Sequence, residues 1–373
     1  WHQDKKDVEN QCEVDDWFGF ALAAGDFNND GFDDLAIGVP YEGIGSIYWV
    51  GAVNVLYGSS SGLSARSPDD NFWYQIGPDR EYNDQFGYAL AAGDFNNDNY
   101  DDLAVGVPYE NIHIIDEAGA VNVLYGSSSG LQDSALLDQF WHQYRDDVSG
   151  DGESGDFFGT TLAKSDFNND GFDDLVIGVQ SESVGGIADA GAVNVLYGSS
   201  GGVQASSPDD QFWHQDKPGV RNKCEEGDQF GSALAVGDFN NDGYHDLAIG
   251  VPNENISGIL NCGCVNVLYG SSGGLQAGSP RDQFWHQDKK EVRDKCEESD
   301  RLGNVLTVGD FNNDGFDDLA VGVQFEDVGN IWNAGAVHVL YGSSSGLSAR
   351  SPDDQFWHQD KKDVENQCEV DDW

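Results

Sequence analysis

Residues 26–34 read DFNNDGFDD, and the pattern returns at 94–102 (DFNNDNYDD), 166–174 (DFNNDGFDD), 238–246 (DFNNDGYHD) and 310–318 (DFNNDGFDD). Each copy carries oxygen-bearing side chains at positions 1, 3, 5 and 9, with Gly or Asn at position 6. Such spacing wraps a short loop around a hard cation, which takes six to eight oxygens at flexible geometry, and calcium (Ca2+) is the ion expected. Five sites follow, each completed by the backbone carbonyl at position 7. They are Asp26, Asn28, Asp30, Phe32 and Asp34; Asp94, Asn96, Asp98, Tyr100 and Asp102; and Asp166, Asn168, Asp170, Phe172 and Asp174. The last two are Asp238, Asn240, Asp242, Tyr244 and Asp246, then Asp310, Asn312, Asp314, Phe316 and Asp318. Gly31 permits the sharp turn, and Asn99 can replace it because Asn tolerates a left-handed backbone. One such cluster is ordinarily a solvated turn. Five with unchanged ligand positions point to cations.

The loop is not an EF-hand, whose twelfth position is a bidentate Glu at the start of a helix. Position 12 here is Ile37, inside the alternating run Leu35, Ile37, Val39, so the loop joins two strands. Working outward, five units open at Phe18, Phe86, Phe158, Phe230 and Leu302, offset by 68, 72, 72 and 72 residues. Each reads as four short strands bounded by Gly, Pro, Asn or Ser: FGFALAAG (18–25), DLAIGVP (34–40), GAVNVLYG (51–58) and a fourth at 71–75. Four strands per unit with no helical period predict an all-β propeller, whose blades are stable only when stacked. The expected blades are 18–85, 86–157, 158–229, 230–301 and 302–356, with Leu22, Leu90, Leu162, Leu234, Leu306, Val53 and Val55 in the core. Residues 1–17 form a linker that recurs unchanged as 357–373, a closing strand and linker leading toward a next repeat. The chain therefore reads as one segment of a longer tandem array.

The succession of FG-x-A-L-A, the cation loop, D-L-A-I-G-V-P and G-A-V-N-V-L-Y-G resembles the FG-GAP repeats of the integrin alpha-subunit propeller, over essentially the whole chain. That resemblance implies calcium between the first two strands of each blade and an extracellular, adhesive setting. Integrin propellers have seven blades and this chain has five units, so integrin identity does not follow.

Eighteen Lys and Arg stand against 67 Asp and Glu, a formal charge of −49 that five divalent ions would reduce only to −39. Such a surface repels nucleic acid and anionic lipid. No apolar run reaches the length of a membrane span and there is no methionine, which reads as a mature or excised piece. Cys12, Cys224, Cys262, Cys264, Cys296 and Cys368 have no zinc-like spacing and favour an oxidising, extracellular or cell-surface location. Cys224, Cys262, Cys264 and Cys296 are expected to form two disulfides, while Cys12 and Cys368 share one repeat position and leave a candidate for intermolecular pairing.

Strand order places the cation loops at one end of each blade and the loops after the second strand at the other. The latter keep their length and change their side chains: YEGIGSIYWV, YENIHIIDEA, SESVGGIADA, NENISGILNC and FEDVGNIWNA. A rigid scaffold with variable loops suits recognition. Tyr41, Tyr48, Trp49, Ile114, Phe325 and Trp332 are the candidate contacts for a protein partner, by self-association or adhesion. The recurrent FWHQ at Trp141, Trp213, Trp285 and Trp357 offers an alternative, a glycan-binding, lectin-like propeller. Gly58-Ser-Ser-Ser-Gly62 fits a nucleophile pattern, but no helix follows and no His stands beside it, so a turn is expected and an enzyme is not.

Overall fold

Alternating small and branched apolar residues between Asp/Asn/Gly breaks give strands, and among the described residues every regular element is a strand. The computed structural model describes residues 1–373 apart from 4–7, 9, 66–70, 77–79, 133–138, 207, 279–281, 351, 363, 365–367 and 369–373. Part of the closing segment 357–373 therefore lies outside the described residues. In the first unit β1 (Leu22–Gly25), β2 (Asp34–Val39), β3 (Ala52–Leu56) and β4 (Asn71–Trp73) pair antiparallel in that order. The other four units repeat the arrangement, giving five four-stranded sheets and an all-β propeller of five blades.

Register is constant, as a strand with one tightly packed face requires. Leu22 lies across from Ile37, Ile37 from Asn54, and Asn54 from Phe72. The fourth unit repeats this with Leu234, Ile249, Asn266 and Phe284. The buried Asn in the middle of the third strand anchors a linker: Asn194 donates to the Ser149 carbonyl at 2.7 Å and Asn266 to that of Arg221 at 3.1 Å.

By contact density the chain divides into two compact units, one formed by Trp1–Ser165, Gly171–Val179 and Asn194–Phe212, the other by Asp166–Asp170, Gln180–Val193 and Trp213–Trp373. Within the first, Val53 and Val55 of β3 pack with Leu103, Val105 and Val107 of the next sheet. Within the second, Val265 and Val267 meet Leu319, Val321 and Val323 in the same way. Each such fully buried valine contributes about 1.5–3 kcal/mol.

Two expectations are corrected. The first strand begins at Leu22 rather than Phe18, because Gly19 at φ +93° turns the chain and Phe20 N–H bonds back to the Trp17 carbonyl at 3.1 Å. The third and fourth units start it one residue earlier, at Thr161 and Ala233, and the fifth extends it over Leu302–Gly309, with an irregularity between Leu302 and Leu306. The equivalent leucines are not central core either: Leu22 is 60% exposed, and Leu90, Leu162, Leu234 and Leu306 are half-buried.

Candidate functional site: the cation loops and the opposite loop face

Each nine-residue loop is pre-shaped by its own side chains. In the first, Asp26 accepts from the backbone N–H groups of Asp30 (3.0 Å) and Gly31 (2.8 Å), Asn28 from Asp30 (3.0 Å), and Asp30 from Phe32 (3.0 Å). The second repeats this through Asp94, Asn96 and Asp98, with Asn99 left-handed at φ 71° where Gly31 has φ +88°. Asp238 with Asp242 and Asp310 with Asp314 keep the same bonds, and in the third loop Asp166 and Asn168 both accept from Asp170. The carbonyl-bearing Phe32, Tyr100, Phe172, Tyr244 and Phe316 follow directly.

Position 9 is different in kind. Asp34, Asp102, Asp174, Asp246 and Asp318 are buried, and their carboxylates hold the turn after the third strand: Gly58 N–H donates to Asp34 at 2.8 Å, and Gly126, Gly198, Gly270 and Gly342 donate to the others. Burial, reinforced by the charges of the loop's other carboxylates, pushes Asp34 up to about 7 and Asp102 and Asp246 up to about 8. A divalent cation would favour the ionised form. Position 8 reaches the preceding blade, where Asp101 accepts from Asp26 N–H at 2.8 Å and Asp317 from Asp238 N–H at 2.8 Å. The donor set, hard oxygens on a preformed turn, fits calcium.

At the same end, the Gly/Ser segment is a turn. Ser59 Oγ donates to the Gly62 carbonyl at 2.6 Å and accepts from Ser61 N–H at 3.2 Å.

At the opposite end, Tyr48, Trp49, Ile114 and Trp332 are exposed, while Tyr41 and Phe325 are half-buried, the latter under the Arg301 guanidinium at 5.3 Å. Sequence reading missed how Tyr41 and Trp49 are continued. One run of ring contacts goes Trp17–Tyr41 (4.5 Å), Tyr41–Trp49 (6.1 Å) and Trp49–Tyr82 (5.4 Å). A second goes Phe20–Tyr88 (4.8 Å), Tyr88–Tyr109 (6.4 Å) and Tyr109–Phe157 (4.9 Å), and Trp17–Phe20 (5.8 Å) joins the two. It also missed an invariant acid. The second residue of every variable loop is glutamate (Glu42, Glu110, Glu182, Glu254 and Glu326), and each linker supplies Glu-x-x-Asp, as in Glu13 and Asp16. The signal was a fixed letter inside otherwise changing loops.

Three of the four FWHQ tryptophans are closed to a sugar, and Trp357 is partly exposed. Trp141, Trp213 and Trp285 are buried, and a cation covers each: Arg145 at 4.2 Å, Lys217 at 5.2 Å and Lys289 at 3.4 Å from the ring centre. The glutamines Gln215 and Gln287 instead donate to the invariant acids Glu254 (2.7 Å) and Glu326 (2.5 Å), as Gln75 of the FWYQ at 72–75 does to Glu110 at 2.7 Å.

The cysteine expectation is half corrected. Cys262 and Cys296 form a disulfide with Cα atoms 5.4 Å apart, whereas Cys224 and Cys264 are free and buried. A linker lies over the loop of the unit before it, so Cys224 faces Ala190, which stands where Cys262 stands one repeat later. Cys12 is exposed and Cys368 buried, so the second is poorly placed for intermolecular exchange.

The FG-GAP repeat family model matches residues 18–56, 86–124, 158–196, 230–261 and 302–340. The chain belongs to the FG-GAP repeat family. Mouse integrin alpha-8 is 32% identical over 63% of this chain and 20% of its own length. Bovine phosphatidylinositol-glycan-specific phospholipase D is 34% identical over 50% of this chain and 21% of its own. This FG-GAP chain thus spans about a fifth of such relatives. Among solved structures, a Bacillus licheniformis rhamnogalacturonan lyase aligns over 80% of this chain and 57% of that one, with 9% identity and a TM-score of 0.34. Among the described residues no helix is long and apolar enough to cross a membrane.

Proposed function

We propose that this FG-GAP propeller is a non-catalytic, calcium-fastened, extracellular adhesion module that binds protein through the aromatic end of its first two blades. The observation that carries the reading is the joined run of rings from Trp17 to Tyr82 and from Phe20 to Phe157, of which Trp17, Phe20, Trp49 and Tyr82 are exposed and the rest half-buried, because mutually braced surface aromatic side chains are the usual anchors of protein interfaces. The backbone supports it. Trp49 sits at φ 58°, a position filled in the other units by Glu117, Asp189, Asn261 and Asn333 at φ 50–54°. A bulky residue in that conformation is strained, and such strain collects at functional positions. The integrin relatives bear on the extracellular setting, and the preformed loops on calcium. Immobilised chain should retain cells in calcium, lose them in EDTA, and lose them when Trp49→Asn is combined with Tyr82→Ser. Equal retention on native and variant surfaces would sink the reading.

The module belongs in a tandem array, where a further FG-GAP blade covers the far face of the fifth. Phe311 is 52% exposed, while its counterparts Phe27, Phe95, Phe167 and Phe239 are fully buried. Val337 and Trp357 are likewise exposed where Val265 and Trp285 are covered.

A further inference from the structure

At the end of the blade away from the nine-residue loops, carboxylates converge in two units. One oxygen each from Glu13, Asp16 and Glu42, and one each from Glu225, Asp228 and Glu254, lie within 4.8 Å of one another. In both triads the Asp and the loop Glu are buried and the linker Glu is exposed. Each buried carboxylate has one oxygen already engaged. Asp16 accepts from Glu13 N–H and Asp228 from Glu225 N–H, while Glu42 accepts from the Gln3 amide at 2.5 Å and Glu254 from that of Gln215 at 2.7 Å. The second oxygen makes no hydrogen bond of good geometry: Glu42 Oε1, Glu254 Oε1 and Asp228 Oδ1 are buried in this state, with the Asn10 and Asn222 side chains beside the two glutamates. Glu225 is steered toward the other two by the Asn255 amide at 2.9 Å.

A buried acceptor without a well-formed partner is unfavourable, and packing like charges around it adds to that. The arrangement is therefore unfavourable as it stands and becomes favourable with a positive charge among these oxygens. We propose that these two triads are calcium sites of a second kind, separate from the nine-residue loops. All donors are hard oxygens, and their spread is what calcium spans, since oxygens at 2.3–2.6 Å from one ion can lie up to about 5 Å apart, against about 4.2 Å for magnesium. Each ion ties a linker to the loop after the second strand of its own blade. In the first unit it would lie beside the aromatic run, because Trp17 follows Asp16 and Tyr41 precedes Glu42, with their rings 4.5 Å apart. That consequence rests on the recognition reading; the site does not.

The two kinds of site are separated by counting. The full chain in excess calcium, weighed by native mass spectrometry, should lose two ions when Glu42→Gln and Glu254→Gln are combined. Asp30→Asn should remove one ion from a loop and leave the triads filled, so failure of either class is visible on its own. An unchanged ion count in the double variant overturns the proposal. Should that variant not fold, crystals of the native chain soaked in terbium decide. Anomalous peaks are expected between Glu13, Asp16 and Glu42 and between Glu225, Asp228 and Glu254, and peaks confined to the loops overturn it.

Discussion

Trp49 shows how one residue can be costly for the fold and useful on its surface. The left-handed backbone costs an ordinary side chain roughly 1–2 kcal/mol and asparagine less, while the ring contacts to Tyr41 and Tyr82 return about 0.5–1.5 kcal/mol each. Because these nearly cancel, Trp49→Asn should change the urea midpoint little yet lower cell retention strongly. A large fall in stability would mean that the ring serves packing instead. The sequence showed Trp49 as a large residue in a variable loop, but not its backbone conformation, because Glu, Asp and Asn fill the position elsewhere and mark it only in retrospect. Cys224 teaches the converse. The pairing expectation failed because repeat position, not proximity along the chain, decides which loop a linker covers. Ala190→Cys should supply the missing partner. Free thiols under denaturing conditions would then fall from four to three, and the new closure should add about 3 kcal/mol, less any strain. Five free thiols would refute the placement of Cys224.

The element that binds neighbouring blades within each compact unit is the nine-residue loop itself. Asp101 accepts from Asp26 N–H, Asp101 N–H donates to the Asp26 carbonyl at 3.2 Å, and Ser127 N–H donates to that of Phe27 at 3.2 Å. Room for this clasp comes from Gly25, where an added Cβ would lie 2.8 Å from an Asp101 carboxylate oxygen and 3.0 Å from its Cβ. Gly25→Ala should therefore cost about 1–3 kcal/mol by overpacking, read as a lowered urea midpoint. Gly62 is the control: it is left-handed at φ +92° with nothing within 4 Å of an added Cβ, so Gly62→Ala bears only backbone strain, about 1–2 kcal/mol, and leaves the blade contact intact. Strand existence and order were legible, since period-2 runs between breakers recur five times. The shortened start of the first strand was not, because Gly19 turns the chain so that its N–H donates to the Gly38 carbonyl and Gly38 N–H donates to that of Ala21, while Gly38 itself lies against the carbonyl of the next blade's Gly87. That crowding is tertiary.

At the scale of the molecule, repetition made the propeller legible, and charge decides its chemistry. The nine-residue loops announced themselves by fixed spacing within one short segment; the triads did not, because Asp16 and Glu42 come from separate segments and meet only through folding. The same acids set the pH response. Burial pushes Asp34, Glu42, Asp228, Glu254 and Asp300 up to about 7, and Asp102 and Asp246 up to about 8. A carboxyl that holds its proton more tightly when folded stabilises fully below its unfolded value, and that contribution is lost as pH rises through the folded one. Half-buried His142, lowered to about 4 by burial and Arg145, acts oppositely: its contribution is present above the unfolded value and lost as pH falls toward 4. His214 and His286 are lowered in the same way. The carboxyls outnumber these histidines, so the metal-free chain should melt at a higher temperature at pH 6 than at pH 8.5. Calcium requires ionised ligands and so competes with the protons. In saturating calcium the order should therefore reverse, with the gain from calcium far larger at pH 8.5. Differential scanning calorimetry in EDTA and in calcium at both pH values reads all four points. If calcium raised the melting temperature equally at both, the buried acids would not be where the ions bind.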